Sequence, residues 1–161
     1  MIKFGKLHKD AKIPTYATDG SGWADVYACF DDYEIVIPPY STRLIPTGLC
    51  SEFDKKYRVR LSERGSNAVS GLIVQAGCID SDYTGEWFVA LYNIHDKPLE
   101  ITKGVDCLDL TEDFIRIPYS KAICQMAVEE IPNVEIVEGN VDEIINRNSQ
   151  RGDGCLGSTD R

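Results

Sequence analysis

The residue pattern predicts an all-β sandwich or barrel. Two observations carry this. Short apolar or alternating runs are separated by turn residues about every ten positions. The chain, at 161 residues with 43% hydrophobic and 27% charged residues, suits one folded domain that needs no disulfide staples.

The elements follow in order. Val26–Phe30 opens an apolar run after a turn at Asp19–Gly22. Tyr33–Ile37 stops at Pro38 and Pro39, which cannot donate to a ladder. Arg43–Ile45 and Lys56–Leu61 are next, the latter with Tyr57, Val59 and Leu61 on one face. Leu72–Val74, Trp87–Asn93 and Ala122–Glu129 complete the strands. One short helix is expected over Val141–Gln150, where Val141, Ile144 and Ile145 share a face and Asn140 is a fair N-cap. The tail Arg151–Arg161 has three glycines in seven residues and one large apolar side chain, so it cannot build a core of its own. The expected organisation is a β domain over 1–150 and an arm over 151–161 that becomes ordered only against something else.

Charge and cysteine usage narrow the function. A net charge of −9 disfavours non-specific binding to nucleic acid or anionic membranes. No apolar run approaches the ~20 residues of a membrane span, and MIKFGKLHKD lacks a signal-peptide stretch. Cys29, Cys50, Cys78, Cys107, Cys124 and Cys155 form no C-x-x-C pair. They read as buried or semi-buried free thiols in a reducing cytoplasm. His8 and His95 are too few and too far apart in sequence for a histidine metal site or a Ser-His-Asp triad.

Four stretches have chemical content. Gly152, Gly154 and Gly157 spell G-x-G-x-x-G, but no strand precedes them and no helix follows, so a dinucleotide fingerprint is excluded. What survives is close backbone approach to an anion, with Ser158 and Thr159 as hydroxyl donors. AGCIDSDYTGEW (76–87) reads as two strands flanking a hairpin tip that holds Asp80. SERGSNAVSG (62–71) offers Arg64, Gly65 and Ser66 after a strand. KAICQMAV (121–128) places Gln125 in an apolar strand, where it must find hydrogen-bond partners. Each stretch alone is equally a plain loop, a solvated tail or a structural network.

Their order is more specific. ATDGSGWAD (17–25), PTGL (46–49), SERGS (62–66), AGCIDSDYTGEW (76–87), KAICQM (121–126) and RGDGCLGSTD (151–160) together resemble the homotrimeric dUTPase family, with all five family motifs in sequence. The resemblance implies a distorted jelly-roll β-barrel, a three-fold trimer with sites shared between subunits, and Mg²⁺-assisted hydrolysis of dUTP to dUMP and pyrophosphate. That activity limits uracil incorporation into DNA and supplies dUMP for dTMP synthesis. By the same resemblance Asp80 deprotonates the attacking water, Tyr83 lies under the deoxyribose, and the backbone around Gly77, Cys78 and Ile79 reads uracil. Asp25 holds Mg²⁺ through water. Arg64, Gly65, Ser66 and Gln125 contact phosphate, and Arg151, Leu156, Gly157, Ser158 and Thr159 belong to the closing arm.

Two departures stand out. Serine does not directly follow Arg64, and Leu156 replaces a base-stacking phenylalanine. Thr102–Ser120, with Asp106, Asp109, Glu112 and Asp113, looks like an acidic insertion and is the segment that would carry a regulatory protein partner. The nearest alternative activity is that of dCTP deaminase, for which Glu86 would be the base-directed carboxylate.

Overall fold

The computed structural model describes residues 1–150 and Gly152. Among them, fourteen strands run in chain order. They are β1 Ile2–Lys6, β2 Thr15–Tyr16, β3 Ala24–Tyr27, β4 Glu34–Ile37, β5 Thr42–Pro46, β6 Leu49–Phe53 and β7 Tyr57–Ser62, then β8 Leu72–Gln75, β9 Cys78–Ile79, β10 Phe88–Asn93, β11 Leu99–Thr102, β12 Asp109–Leu110, β13 Ile115–Pro118 and β14 Ala122–Glu130. The expected all-β class holds. There are two short helices rather than one: α1, Gly65–Val69, inside the stretch read as a loop, and α2, Val141–Ile145.

The strands fall into four hydrogen-bonded sheets, ordered β1-β6, β5-β10-β8, β12-β13-β11-β4 and β2-β3-β14-β7-β9. None closes on itself. One large apolar core joins them, centred on Val26, Ile37, Ile45, Val59, Leu91 and Trp87, all fully buried, and Ala11, Cys29 and Leu49 form a smaller cluster. The indole of Trp87 donates to Ser51 Oγ at 3.1 Å, which satisfies its one polar atom.

Period-two alternation decides which side chains leave the core. On β3, Ala24 and Val26 point inward and Asp25 outward. On β7, Val59 and Leu61 are buried as the alternation requires, and Arg58 and Arg60 face out. On β14 a bulge at Ala122/Cys124 buries three successive residues, Ala122, Ile123 and Cys124, before Gln125 turns outward.

The acidic segment 102–120 is stitched into a sheet. β13 pairs in parallel with β11, Ile115 and Ile117 are buried, and Arg116 bridges Glu100 at 2.8 Å and Asp109 at 3.2 Å.

The chain divides into two compact units, Met1–Ile131 and the segment from Pro132 onward. In the second unit, Asn140 Oδ1 accepts from the N–H groups of Asp142 and Glu143, so the expected N-cap is present. The helix ends at Ile145 instead of reaching Gln150, and Val141, Ile144 and Ile145 are exposed. Cys29 and Cys124 are buried and Cys50 half-buried, but Cys78 and Cys107 are exposed. For those two the expectation of buried or semi-buried thiols fails: Cys78 is the outward-facing residue of the two-residue strand β9, and Cys107 stands on the connection between β11 and β12.

Candidate active site

Two outward-facing residues on neighbouring strands start the site. Asp25 on β3 lies directly opposite Gln125 on β14. Asp25 Oδ1 accepts from Arg64 Nε at 2.8 Å. Gln125 Nε2 donates to the Glu63 carbonyl at 2.8 Å, so the amide in the apolar strand has its partner. Arg64 is the N-cap residue of α1, with extended backbone (φ −75°, ψ 148°) and no side-chain cap bond. Gly65 and Ser66, both exposed, begin the helix. Asp25, Arg64, Gly65, Ser66 and Gln125 line one cavity of about 320 Å³, walled on its far side by Ser21 and Trp23. Three of the separated stretches thus meet at one place. It offers a cation, a carboxylate, an amide, a hydroxyl and the first backbone peptides of α1, a set suited to phosphate oxygens and a hydrated cation.

Glu63 and Asn67, not singled out from the sequence, hold this arrangement. The Glu63 carboxylate accepts from Val74 N–H at 2.8 Å and from Ser62 Oγ at 3.1 Å. Burial pushes its carboxyl up, but hydrogen bonds from its own backbone, Val74 and Ser62 outweigh this and hold it below its ordinary value. Asn67, buried in α1, donates to the carbonyls of Ala122 and Ile123. The signal in the sequence was the residue type itself: an amide in a buried position must be bonded.

The second group surrounds Asp80. β9 pairs with β7, Ile79 opposite Val59 and Cys78 opposite Arg60. Gly77 lies so close to β7 that a Cβ there would stand 2.5 Å from the Leu61 carbonyl. Ala76 takes the left-handed turn conformation, φ 49°, between β8 and β9. Asp80 emerges exposed, with the Cys78 thiol 3.8 Å from Oδ1. Burial and the Asp80 charge push that thiol up. The turn closes through Tyr83 N–H to Asp80 O, and the Tyr83 hydroxyl donates to Glu86 O at 2.7 Å. The Tyr83 ring packs on Gly85, where a Cβ would meet the hydroxyl at 2.7 Å. Glu86 Oε1 in turn accepts from Gly48 N–H at 2.8 Å.

The expected hairpin over 76–87 is not one. β9 belongs to the five-stranded sheet and β10 to the three-stranded one, so the Asp80–Trp87 segment crosses between sheets. The sequence shows two flanking strands but not which partners they choose.

One chain does not bring the two groups together. Asp80 stands level with Arg58, because Ile79 pairs Val59, whereas Gln125 pairs Ser62 on the other edge of β7. The run from Arg58 to Ser62 separates them by ~13 Å along the strand, with the width of β7 between. Arg151, Leu156, Gly157, Ser158 and Thr159 lie outside the described residues.

A dUTPase family model matches residues 9–108 of this chain. The deoxyuridine 5′-triphosphate nucleotidohydrolase of a Hydrogenobaculum species is 36% identical over 157 residues, covering 96% of this chain and 94% of that protein. The chain belongs to the dUTPase family. The enzyme of the same name from Wolbachia pipientis is 31% identical, with 95% of this chain and 90% of that protein covered. Among solved structures, a point mutant of the dUTPase of Staphylococcus bacteriophage 80alpha with dUpNHpp aligns with TM-score 0.73 at 18% identity, over 99% of this chain and 98% of that one. The native EIAV dUTPase aligns with TM-score 0.62 at 19% identity, over 88% of this chain and 98% of that one. The structure of a point mutant of the dUTPase from phage phi11 of S. aureus describes the coordination of a structural Mg(II) ion. These neighbours share the dUTPase fold, and the jelly-roll expectation stands.

For a metal, this dUTPase offers a single half-buried carboxylate in a polar cavity. The described residues contain no cluster of three or more His, Cys, Asp or Glu side chains suited to a metal ion. That donor set excludes an all-protein cage. It fits Mg²⁺, which keeps several waters and takes its other oxygens from phosphate. Glu86, the carboxylate that a deaminase reading requires, is engaged by Gly48. Among the described residues no helix is long and apolar enough to cross a membrane.

Proposed function

We propose that this dUTPase-family chain is a dUTP diphosphatase working as a homotrimer. The carrying observation is Asp80, an exposed carboxylate beside Tyr83, whose hydroxyl is fixed on Glu86 O at 2.7 Å. Asp80 accepts a proton from water, and the water oxygen attacks the α-phosphorus of dUTP. The bond to the β-phosphate oxygen breaks, leaving dUMP and pyrophosphate. Tyr83 excludes a 2′-hydroxyl beneath the sugar, and the Gly77–Ile79 backbone reads the uracil edge. Arg64, Gly65, Ser66 and Gln125 hold phosphate oxygens, and Asp25 would hold Mg²⁺ through its waters. When bound, Mg²⁺ supplies charge neutralisation at the triphosphate.

The separation of Asp80 from Gln125 within one chain supports a site shared between copies. A general base must lie within about 2.6–3.2 Å of the proton it takes, so the phosphates at one chain's Gln125 need another chain's Asp80. The outer face of β5-β10-β8 suits such a contact. It exposes Leu44, Phe88 and Ile73 and carries no charged residue beside Ala90 and Tyr92. The arm 151–161 of a further copy closes over the phosphates. The product limits uracil in DNA and feeds dTMP synthesis, and the free thiols suit a reducing cytoplasm.

The test is a panel of dUTP, dTTP, dCTP and UTP with Mg²⁺, scored separately for pyrophosphate and ammonia. Pyrophosphate from dUTP far above the other three is expected, with Asp80→Asn slower by at least ~10² and dUTP binding retained. Ammonia from dCTP, or near-normal turnover in Asp80→Asn, overturns the reading.

A further inference from the structure

We infer that Asn67 is a positioning residue that fixes the Arg64–Ser66 turn on β14 and so sets the geometry of the phosphate side of the site; this rests on reading that turn as a phosphate contact. On its β3 edge β14 carries a bulge: Ala122 pairs Tyr27 and Cys124 pairs Val26, so Ile123 is the extra residue. On its β7 edge the ladder ends where Gln125 meets Ser62. Beyond that point the chain leaves β7 for α1, and side chains continue the ladder in place of backbone. Gln125 Nε2 donates to Glu63 O at 2.8 Å. Asn67 Nδ2 donates to Ile123 O at 2.8 Å and to Ala122 O at 3.3 Å.

Besides Asn67, the turn is tied down by the Arg64–Asp25 ion pair and by Gln125 Nε2 on the Glu63 carbonyl, both on its Asp25 side. Arg64 and Ser66 line two cavities, each of about 320 Å³: one with Asp25 and Gln125, the other with Ser70 and Lys121. The first peptides of α1 are therefore a thin wall with open space on both sides, where packing alone does not fix position. The N-cap residue makes no side-chain bond to the helix. Asn67, 7% exposed, ties this wall to the strand that carries Gln125. Oriented contacts on a transferring phosphate tolerate little misplacement, so a loosened wall reaches substrate without Asn67 touching it.

The experiment compares full-length wild type with Asn67→Leu, which keeps volume and removes the donor, and Asn67→His, whose ring N–H reaches a similar point with the neighbouring cavity giving it room. Binding of dUpNHpp, dUMP and inorganic tripolyphosphate is measured for each, with Mg²⁺. For Asn67→Leu, dUpNHpp and tripolyphosphate should weaken at least ~10-fold and dUMP by less than about three-fold, with Asn67→His recovering most of the loss. A merely structural role would lower thermal stability and leave the dUpNHpp-to-dUMP affinity ratio unchanged, and that result overturns the inference. If Asn67→Leu does not fold, Asn67→Ser is read by the same ratio. Tripolyphosphate reports on the turn whatever nucleoside is used. Wild type that binds tripolyphosphate but not dUpNHpp therefore sinks the dUTP reading alone, and an unchanged tripolyphosphate affinity in the variant sinks the role of Asn67.

Discussion

Asp25 and Arg64 are joined by an ion pair of 2.8 Å between Oδ1 and Nε, drawn from β3 and from the residue that caps α1. The pair holds a carboxylate and a guanidinium side by side at the wall of the cavity, each balancing the other's charge. Both groups are partly exposed, so the pair itself adds little stability, and the role proposed for it is in binding. Asp25→Asn keeps the shape and removes the charge. The Mg²⁺ concentration for half-maximal turnover should rise at least ~10-fold with dUMP affinity nearly unchanged, because in the proposed site a single water-mediated carboxylate is the protein's share. A Mg²⁺ titration of turnover measures this, and an unshifted midpoint contradicts the placement.

Gly77 gives a stability prediction. Any Cβ there meets the Leu61 carbonyl at 2.5 Å, which is rigid backbone of β7, not the end of a flexible side chain. Leu61 N–H also donates to Gly77 O at 2.8 Å. Gly77→Ala should therefore separate β9 from β7 and lower stability by roughly 1–3 kcal/mol. It should move Asp80 as well, so turnover should fall together with the denaturation midpoint. Wild-type stability in the variant would mean that the two strands part at little cost.

Glu63 makes stability depend on pH in a defined direction. Its carboxyl is held below the ordinary value of 4.5, with burial opposing the shift and the hydrogen bonds from its own backbone, Val74 and Ser62 prevailing. The unfolded chain therefore binds more protons than the folded one just below pH 4.5. The Glu63 contribution is fully present above that value and is lost as pH falls through the lowered folded value. Glu63→Gln should be less stable than wild type at neutral pH, and the gap should narrow on acidification. Urea midpoints measured from pH 7 down to pH 3 decide it, and a constant gap would show that the Glu63 charge is not what matters.

Much of this was legible in the sequence because period-two alternation and turn residues are local signals. The Tyr57–Val59–Leu61 face and the Asn140 cap appear where they were expected. The two-residue strands β2, β9 and β12 are too short to carry any period. β11 is buried along its whole length, so it shows no alternation. Gly65–Val69 reads as a loop because Gly, Ser and Asn are poor helix formers, and its position depends on the Asn67 bonds to a distant strand. The clustering of Asp25, Arg64 and Gln125 depends on strand order, β3-β14-β7, which composition does not encode. The choice of different sheets by β9 and β10 is non-local in the same way.

The arm gives a truncation prediction. Arg151–Arg161 combines glycines with Arg151, Ser158 and Thr159, groups that suit a triphosphate. A chain ending at Gln150 should keep its assembly and its dUMP affinity, and should lose most dUTP turnover because the phosphates are no longer held for attack. Turnover within about two-fold of full length would make the arm a passive tail.

The shared site is tested most directly by mixing two inactive chains. Asp80→Asn keeps the phosphate group and loses the base, and Arg64→Ala does the reverse. If the base of one copy serves the phosphates of the next, co-expression in equal amounts gives a trimer in which one site in four, on average, pairs an intact Asp80 with an intact neighbouring Arg64. The measurement is pyrophosphate release from dUTP by the co-assembled protein, set against each variant alone. About a quarter of wild-type activity is expected from random assembly of a closed three-fold ring. Activity no higher than that of the separate variants would place Asp80 and Arg64 of one chain in the same site and contradict the shared-site account.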